Sequence, residues 1–189
     1  MHPEAPAPAA GCAGFFAGSG TGRGEPGPNT LGARTPPPGA TIAMPVNTTA
    51  IGKSYDPVVY AVGREKVREY ARAVGETSPL CLDVEAARAA GYSDVMAPPM
   101  FAVVYSAPAV GPLILDPEIG INFAMMVHGG QEFVWEQPVV AGDEITTTAS
   151  VKDISERDGR AFYVFESVSE NQRGERVCTA TWTNIVRGA

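Results

Sequence analysis

Two side chains in one segment of this sequence could take part in proton transfer. Glu76 and Cys81 stand five positions apart in the run Gly-Glu-Thr-Ser-Pro-Leu-Cys-Leu-Asp, residues 75–83. A carboxylate can orient a water molecule, but a thiol with a pKa of about 8.5 is a poor acid or base at neutral pH. A nucleophilic thiol needs a nearby histidine or helix N-terminus to lower its pKa, and Asp83 would raise it. The two residues are therefore expected to cap and pack the segment.

His128 supplies the imidazole that a folded domain can use, because the other histidine, His2, falls in the N-terminal segment. An imidazole titrates near neutral pH and suits acid–base chemistry. His128 could stand at a strand end followed by a Gly-Gly bulge, or beside a bound thioester. Asp143 is predicted to form a turn rather than to act as a catalytic acid. No phosphate-binding glycine loop and no metal-ligand cluster is recognised, so no cofactor and no metal are expected.

Helices are predicted in the first half of the chain. Apolar side chains recur at i, i+3, i+4 and i+7 from Val67 to Val74, which predicts a helix over residues 63–75. Asp83 is predicted to cap a short helix over residues 84–90.

A second helical run, residues 96–107, is apolar on nearly all sides, which predicts a buried helix. Pro108 and Pro112 are expected to end or kink it, and residues 113–120 would then be a surface connection.

After Gly120 the hydrophobic period changes to two, which is typical of strands. Short turns separate the runs, and strands joined by short turns pair antiparallel. The predicted fold class is therefore α+β, with a long antiparallel sheet wrapped around a central apolar helix. The predicted strands cover residues 121–127, 130–137, 144–154, 161–170 and 176–187.

Composition divides the chain into two parts. Residues 1–49 are rich in Pro, Gly and Ala and are predicted to be a disordered tail, and residues 50–189 a single domain. An incorrectly assigned start codon before Met44 would explain the tail equally well. The net charge of −7 without a basic run disfavours nucleic acid as a partner, and no apolar run is long enough to span a membrane. Three scattered cysteines fit a reducing compartment, so a cytoplasmic protein is expected.

Two segments carry a resemblance to a known family. Residues 75–83 resemble the G-D-x-N-P-[LI]-H-x-D signature of MaoC-like, (R)-specific hydratases and dehydratases, with Glu76 and Cys81 at the positions of the paired Asp and His. Residues 133–143, Phe-Val-Trp-Glu-Gln-Pro-Val-Val-Ala-Gly-Asp, are similar to a strand and turn of the same group. Over about residues 60–185 the chain resembles the FAS1-like dehydratase N-terminal branch, and in particular the non-catalytic subunits of heterodimeric (3R)-hydroxyacyl-ACP dehydratases.

The resemblance implies a hot-dog fold that dimerises side by side, as a homodimer or with a subunit that carries the Asp and His. It implies acyl-CoA or acyl-ACP as the ligand and a degenerate dyad at Glu76 and Cys81, so no catalytic residue is expected in this chain. The residues expected to contact substrate are Pro98, Phe101, Met126, His128 and Gly129.

Three functions follow as hypotheses. The leading one is the non-catalytic partner subunit of an (R)-specific 3-hydroxyacyl-ACP or -CoA dehydratase in fatty-acid metabolism. The second is a homodimeric enoyl hydratase or acyl thioesterase that uses Glu76 or His128, although the order of His-Gly-Gly after the apolar helix departs from the thioesterase pattern. The third is a dimer that binds an acyl ligand without catalysis.

Overall fold

The computed structural model describes residues 46–188, so residues 1–45 of the predicted tail, including Met44, lie outside the described residues. Val46 packs against the core, so the described fold includes residues before position 50. Its helices are α1 (Arg64–Ala73), α2 (Pro79–Leu82), α3 (Val84–Ala89) and α4 (Ala102–Ile114). Its strands are β1 (Val58–Ala61), β2 (Met126–Trp135), β3 (Glu144–Arg157), β4 (Arg160–Glu170) and β5 (Arg176–Arg187).

The five strands form one antiparallel sheet in the order β1-β3-β4-β5-β2. Along β4, buried side chains such as Tyr163 and Phe165 alternate with half-buried ones, so one face of the sheet is the core face and the other is the outer face. Helix α4 packs against this sheet, with its contacts on β1, β3 and β4. The predicted α+β layout, an antiparallel sheet around an apolar helix, is confirmed.

Helix α4 differs from its prediction at both ends. It begins at Ala102, after a 3-10 turn at Pro99–Phe101, and it continues through Pro108 and Pro112 to Ile114. Both proline residues are exposed, whereas Val110 and Leu113 are buried. Burial contributes about 1.5–3 kcal/mol for each such side chain, which offsets much of the cost of about 3 kcal/mol per proline.

The prediction of a surface connection over residues 113–120 is therefore wrong at its start, because Leu113 is buried and the helix continues to Ile114. No helix among residues 46–188 is long and apolar enough to cross a membrane.

Strand β2 replaces two predicted strands. The prediction of a separate strand over residues 121–127 is wrong, because residues 123–125 form a 3-10 turn and the pairing with β5 starts at Met126. The pairing shifts between His128 and Gly130, so the predicted bulge lies inside the strand and does not end it. A Cβ atom on Gly129 would lie 2.6 Å from Ile185 Cδ1, so a larger residue there would require the Ile185 side chain to move.

An ion pair joins the segment before β1 to the turn after α4. Asp116 is buried, and its carboxylate accepts hydrogen bonds from Tyr55 Oη at 2.7 Å and from the Glu118 backbone N–H at 2.8 Å. Lys53 Nζ lies 2.5 Å from Asp116 Oδ2 and also contacts the Glu118 carboxylate. The Lys53 ammonium, together with these hydrogen bonds, lowers the pKa of Asp116 to about 2.

Replacing Asp116 with Asn should lower the melting temperature at pH 7 and flatten its dependence on pH. A carboxylate whose pKa falls from about 3.9 in the unfolded chain to about 2 in the fold stabilises the protein above pH 4 and loses this contribution as the pH falls through 2. Differential scanning calorimetry between pH 2 and 7 measures both effects. Glu118→Gln, at an exposed side chain, is the control, and parallel curves for wild type and Asp116→Asn would contradict the prediction.

Candidate functional site

The segment 75–83 is held by its own backbone. Gly75 adopts φ +73°, a left-handed conformation that ends α1, and the Glu76 N–H donates to Ala71 O at 2.8 Å. The Glu76 side chain turns back, so that its Oε1 accepts hydrogen bonds from the N–H groups of Thr77 and Ser78 at 2.9 and 2.8 Å. This carboxylate oxygen therefore closes a turn.

Cys81 lies in α2, a short helix that the sequence analysis did not predict, and it is 2% exposed. Burial raises the pKa of the Cys81 thiol, and the negative charge of Glu76 raises it further. The thiol is therefore protonated at neutral pH and is poorly suited to nucleophilic attack or to proton transfer.

An apolar cavity of about 150 Å³ lies where α4 begins and β2 ends. Its wall includes Pro98, Phe101, Ala102, Tyr105 and Trp135. The Trp135 indole N–H donates to the Pro99 carbonyl at 2.8 Å, which fixes the aromatic ring at the cavity. The segment of Glu76 and Cys81 lies next to this cavity, because Leu80 O accepts a 2.8 Å hydrogen bond from the N–H of Met96, another lining residue.

The predicted substrate-contacting residues fall into two groups. Pro98 and Phe101 line the apolar cavity. Met126, His128 and Gly129 lie near the start of β2, whereas Trp135 at the cavity lies at its end. Seven residues of extended chain from position 128 to 135 span about 23 Å. The structure therefore does not bring the two groups together in one chain.

His128 is exposed, and its ring lies edge-to-face with Trp182, with 6.5 Å between the ring centroids. Within residues 46–188, the imidazole makes no hydrogen bond and no ion pair with Glu76. The described chain therefore contains no carboxylate–imidazole pair at this position that could replace the altered dyad.

The sequence did not single out Tyr105 or Gln131. Tyr105 lines the cavity beside Cys178, and burial raises the pKa of Cys178 to about 11. The buried Nε2 of Gln131 has no hydrogen-bond partner within the described part of the chain, which leaves an open donor on β2. The bulge at residues 128–130 shifts the alternation of β2, so the sequence pattern alone could not assign Gln131 to a face.

The two edges of the sheet differ in length and in apolar exposure. β1 has four residues, whereas β2 has ten and carries Val127, Val134 and Trp135, which are 39%, 61% and 49% exposed. Phe123 and Met125, just before β2, are also exposed. A long unpaired edge strand with apolar side chains is a surface on which another strand can pair.

Comparison with known proteins gives consistent matches. The family model described as FAS1-like, dehydratase domain region, matches residues 49–180. The UPF0336 protein of Saccharopolyspora erythraea is 45% identical over 146 residues, which cover 77% of this chain and 94% of the relative.

Solved structures also match. A chain of the C-terminally truncated HadBC (3R-hydroxyacyl-ACP dehydratase) complex from Mycobacterium tuberculosis is similar with a TM-score of 0.64 and 30% identity, over 72% of this chain and 96% of that one. A MaoC-like dehydratase matches with a TM-score of 0.66 and 31% identity, over 74% of this chain and 43% of that one.

Proposed function

Because the chain belongs to the FAS1-like dehydratase region family of MaoC-like hot-dog proteins, we propose that it is the non-catalytic subunit of an (R)-specific 3-hydroxyacyl-thioester dehydratase. In this role it binds an acyl thioester, carried on CoA or ACP, and works in fatty-acid metabolism with a subunit that carries an intact Asp and His. The observation that carries the proposal is that Glu76 closes a turn with one carboxylate oxygen and that Cys81 is a buried thiol with a raised pKa.

Dehydration of a 3-hydroxyacyl thioester removes a proton from C2 and expels the C3 hydroxyl as water, so one group must accept a proton and another must donate one. One oxygen of Glu76 is held by the N–H groups of Thr77 and Ser78, and Cys81 is buried with a raised pKa. The Cys81 thiol is therefore poorly suited to proton exchange at neutral pH, which leaves the altered dyad without its second member. A subunit with these residues needs another one to perform the proton transfers.

The apolar cavity supports the binding part of the proposal. Its walls are largely hydrocarbon and aromatic, which suits an acyl chain. Its volume of about 150 Å³ is smaller than the roughly 300–1,000 Å³ of typical ligand pockets. It can therefore hold only part of a long acyl chain, and the rest of the site has to come from a second subunit.

The free edge of β2 supports the proposed assembly. Pairing of this edge with a β2 strand of a second hot-dog subunit would continue the sheet and place a strand beside the exposed side chains of Val134 and Trp135. A second subunit placed there would also lie next to the cavity, since Trp135 belongs to both features.

The purified chain alone should not hydrate crotonyl-CoA above background, whereas the complex obtained by co-expression with a dyad-bearing MaoC-like subunit should be active. Enoyl-thioester absorbance measures the rate, and the dyad-bearing subunit alone is the control. Turnover by the lone chain that disappears in Glu76→Ala would contradict the proposal and favour a homodimeric hydratase.

Two further readouts separate the other functions. Thiol release from acyl-CoA that disappears in His128→Ala would favour a thioesterase. A chain that binds acyl-CoA but forms no complex with any dyad-bearing subunit in native mass spectrometry would favour a binding protein without catalysis.

A further inference from the structure

Three arginines form a row across one end of the sheet. Arg157 of β3 lies directly opposite Arg160 of β4, and Arg160 lies directly opposite Arg187 of β5. Directly opposite residues of antiparallel strands share a face of the sheet. On β4 the buried side chains begin at Ala161, so Arg160 and its two neighbours lie on the outer face, away from α4.

The side chains of this arginine row have no carboxylate partner, unlike every other lysine and arginine of residues 46–188 except Arg72. Every lysine of the described part, and most of its arginines, has a carboxylate within 4.0 Å. The exceptions among residues 46–188 are Arg72 on α1 and the three residues of the row.

Like charges directly opposite each other destabilise a sheet. A protein with a net charge of −7 nevertheless places three positive charges side by side without neutralising them. An anionic ligand would neutralise the row.

A concave pocket of about 400 Å³ lies beside the row. Arg160 and Arg187 line it on one side, and Val127 and Ile185 provide an aliphatic wall. The hairpin turn Asp158–Gly159 closes the pocket, with φ +52° and +67° at its two residues. Asp158 is the single carboxylate among the described residues that line this pocket, so arginine side chains outnumber it.

The size of the site favours a small anion over a protein. The row extends over two strand spacings, or about 10 Å, and the pocket beside it is concave. A stable protein partner needs about 800 Å² on each side. Guanidinium groups bind phosphate oxygens in bidentate geometry, and an aliphatic wall beside them suits the face of a purine base.

We propose that the arginine row and its pocket bind a phosphorylated purine nucleotide, with the phosphates on the guanidinium groups and the base against the aliphatic wall. This site is separate from the apolar cavity, because the row lies on the outer face of the sheet and about 30 Å away along β2.

Adenosine 3′,5′-bisphosphate is the probe that tests the proposal, by isothermal titration calorimetry on the full-length chain at 50 mM salt. The double variant Arg160→Gln/Arg187→Gln should bind it at least about tenfold more weakly than wild type, because charge-assisted hydrogen bonds to two guanidinium groups are lost. Arg72→Gln removes a charge that is also unpaired but lies on α1, and it should bind like wild type.

The outcomes are separable from those of the proposed function, since the probe carries no acyl group and needs no catalytic subunit. Equal affinity of the double variant and Arg72→Gln would overturn the proposal, and so would the absence of binding by wild type. Wild-type binding of an acidic acyl carrier protein, lost in the double variant while the bisphosphate does not bind, would assign the row to a protein partner instead.

Discussion

Substitution of Phe101 by alanine should lower the free energy of unfolding by about 3–5 kcal/mol. The Phe101 side chain is fully buried at the start of α4, and its ring makes edge contacts with Tyr60 and Tyr70 at centroid distances of 6.2 and 5.3 Å. Removal of the ring leaves a cavity between α4, α1 and β1 that the surrounding structure can close only in part. In thermal unfolding, this loss corresponds to a decrease of roughly 10 °C or more in the melting temperature.

Phe123 provides the matched control for this substitution. It is also a phenylalanine within a 3-10 turn, but it is 61% exposed. Phe123→Ala should change the free energy of unfolding by no more than about 0.5 kcal/mol. Urea titrations of both variants measure the difference, and similar losses of stability would show that the start of α4 is not the centre of the core.

Substitution of Val134 by aspartate should weaken association with the partner subunit by at least about 30-fold. Val134 is 61% exposed on β2, the edge that the proposed assembly covers. A carboxylate there would lose its hydration in the complex, and substitutions at the centre of an interface commonly cost 2 kcal/mol or more, which corresponds to about 30-fold in affinity. Sedimentation velocity over a concentration series measures the dissociation constant, and the partner-dependent turnover should decrease in parallel.

Val59 allows a direct comparison of the two edges. It has the same residue type and the same 61% exposure, but it lies on the short edge strand β1. Val59→Asp should leave association within about twofold of wild type, because a four-residue edge offers little backbone for pairing. A larger effect of Val59→Asp than of Val134→Asp would place the subunit interface on the β1 edge and contradict the prediction.

The sequence predicted the elements whose signals are local. β5 has the predicted bounds of residues 176–187, and Asp83 caps α3 by accepting hydrogen bonds from the N–H groups of Glu85 and Ala86. Helix α1 follows the apolar period from Val67. In each case the deciding interactions lie within a few residues of one another, so the pattern contains them.

The errors occur where tertiary contacts override a local rule. Burial of Val110 and Leu113 keeps α4 helical through two prolines, and pairing with β3 makes a strand of the short run Val58–Ala61. The candidate site shows the same limit. The segment that contains Glu76 and Cys81 could be singled out from residue types and spacing alone. The arginine row depends on the register of three strands, which the sequence pattern does not contain.

The contact between Lys53 and Asp116 bears on how the N-terminus can be shortened. A protein that begins at Met44 keeps Lys53 and Tyr55, and with them both side chains that neutralise or hydrogen-bond the Asp116 carboxylate. Removal of ten more residues would delete Lys53 and leave a negative charge enclosed beside the end of α4. Affinity tags and fusion partners are therefore best joined upstream of residue 46. A chain trimmed to the first strand would lose the contacts of Lys53 and Tyr55 with Asp116.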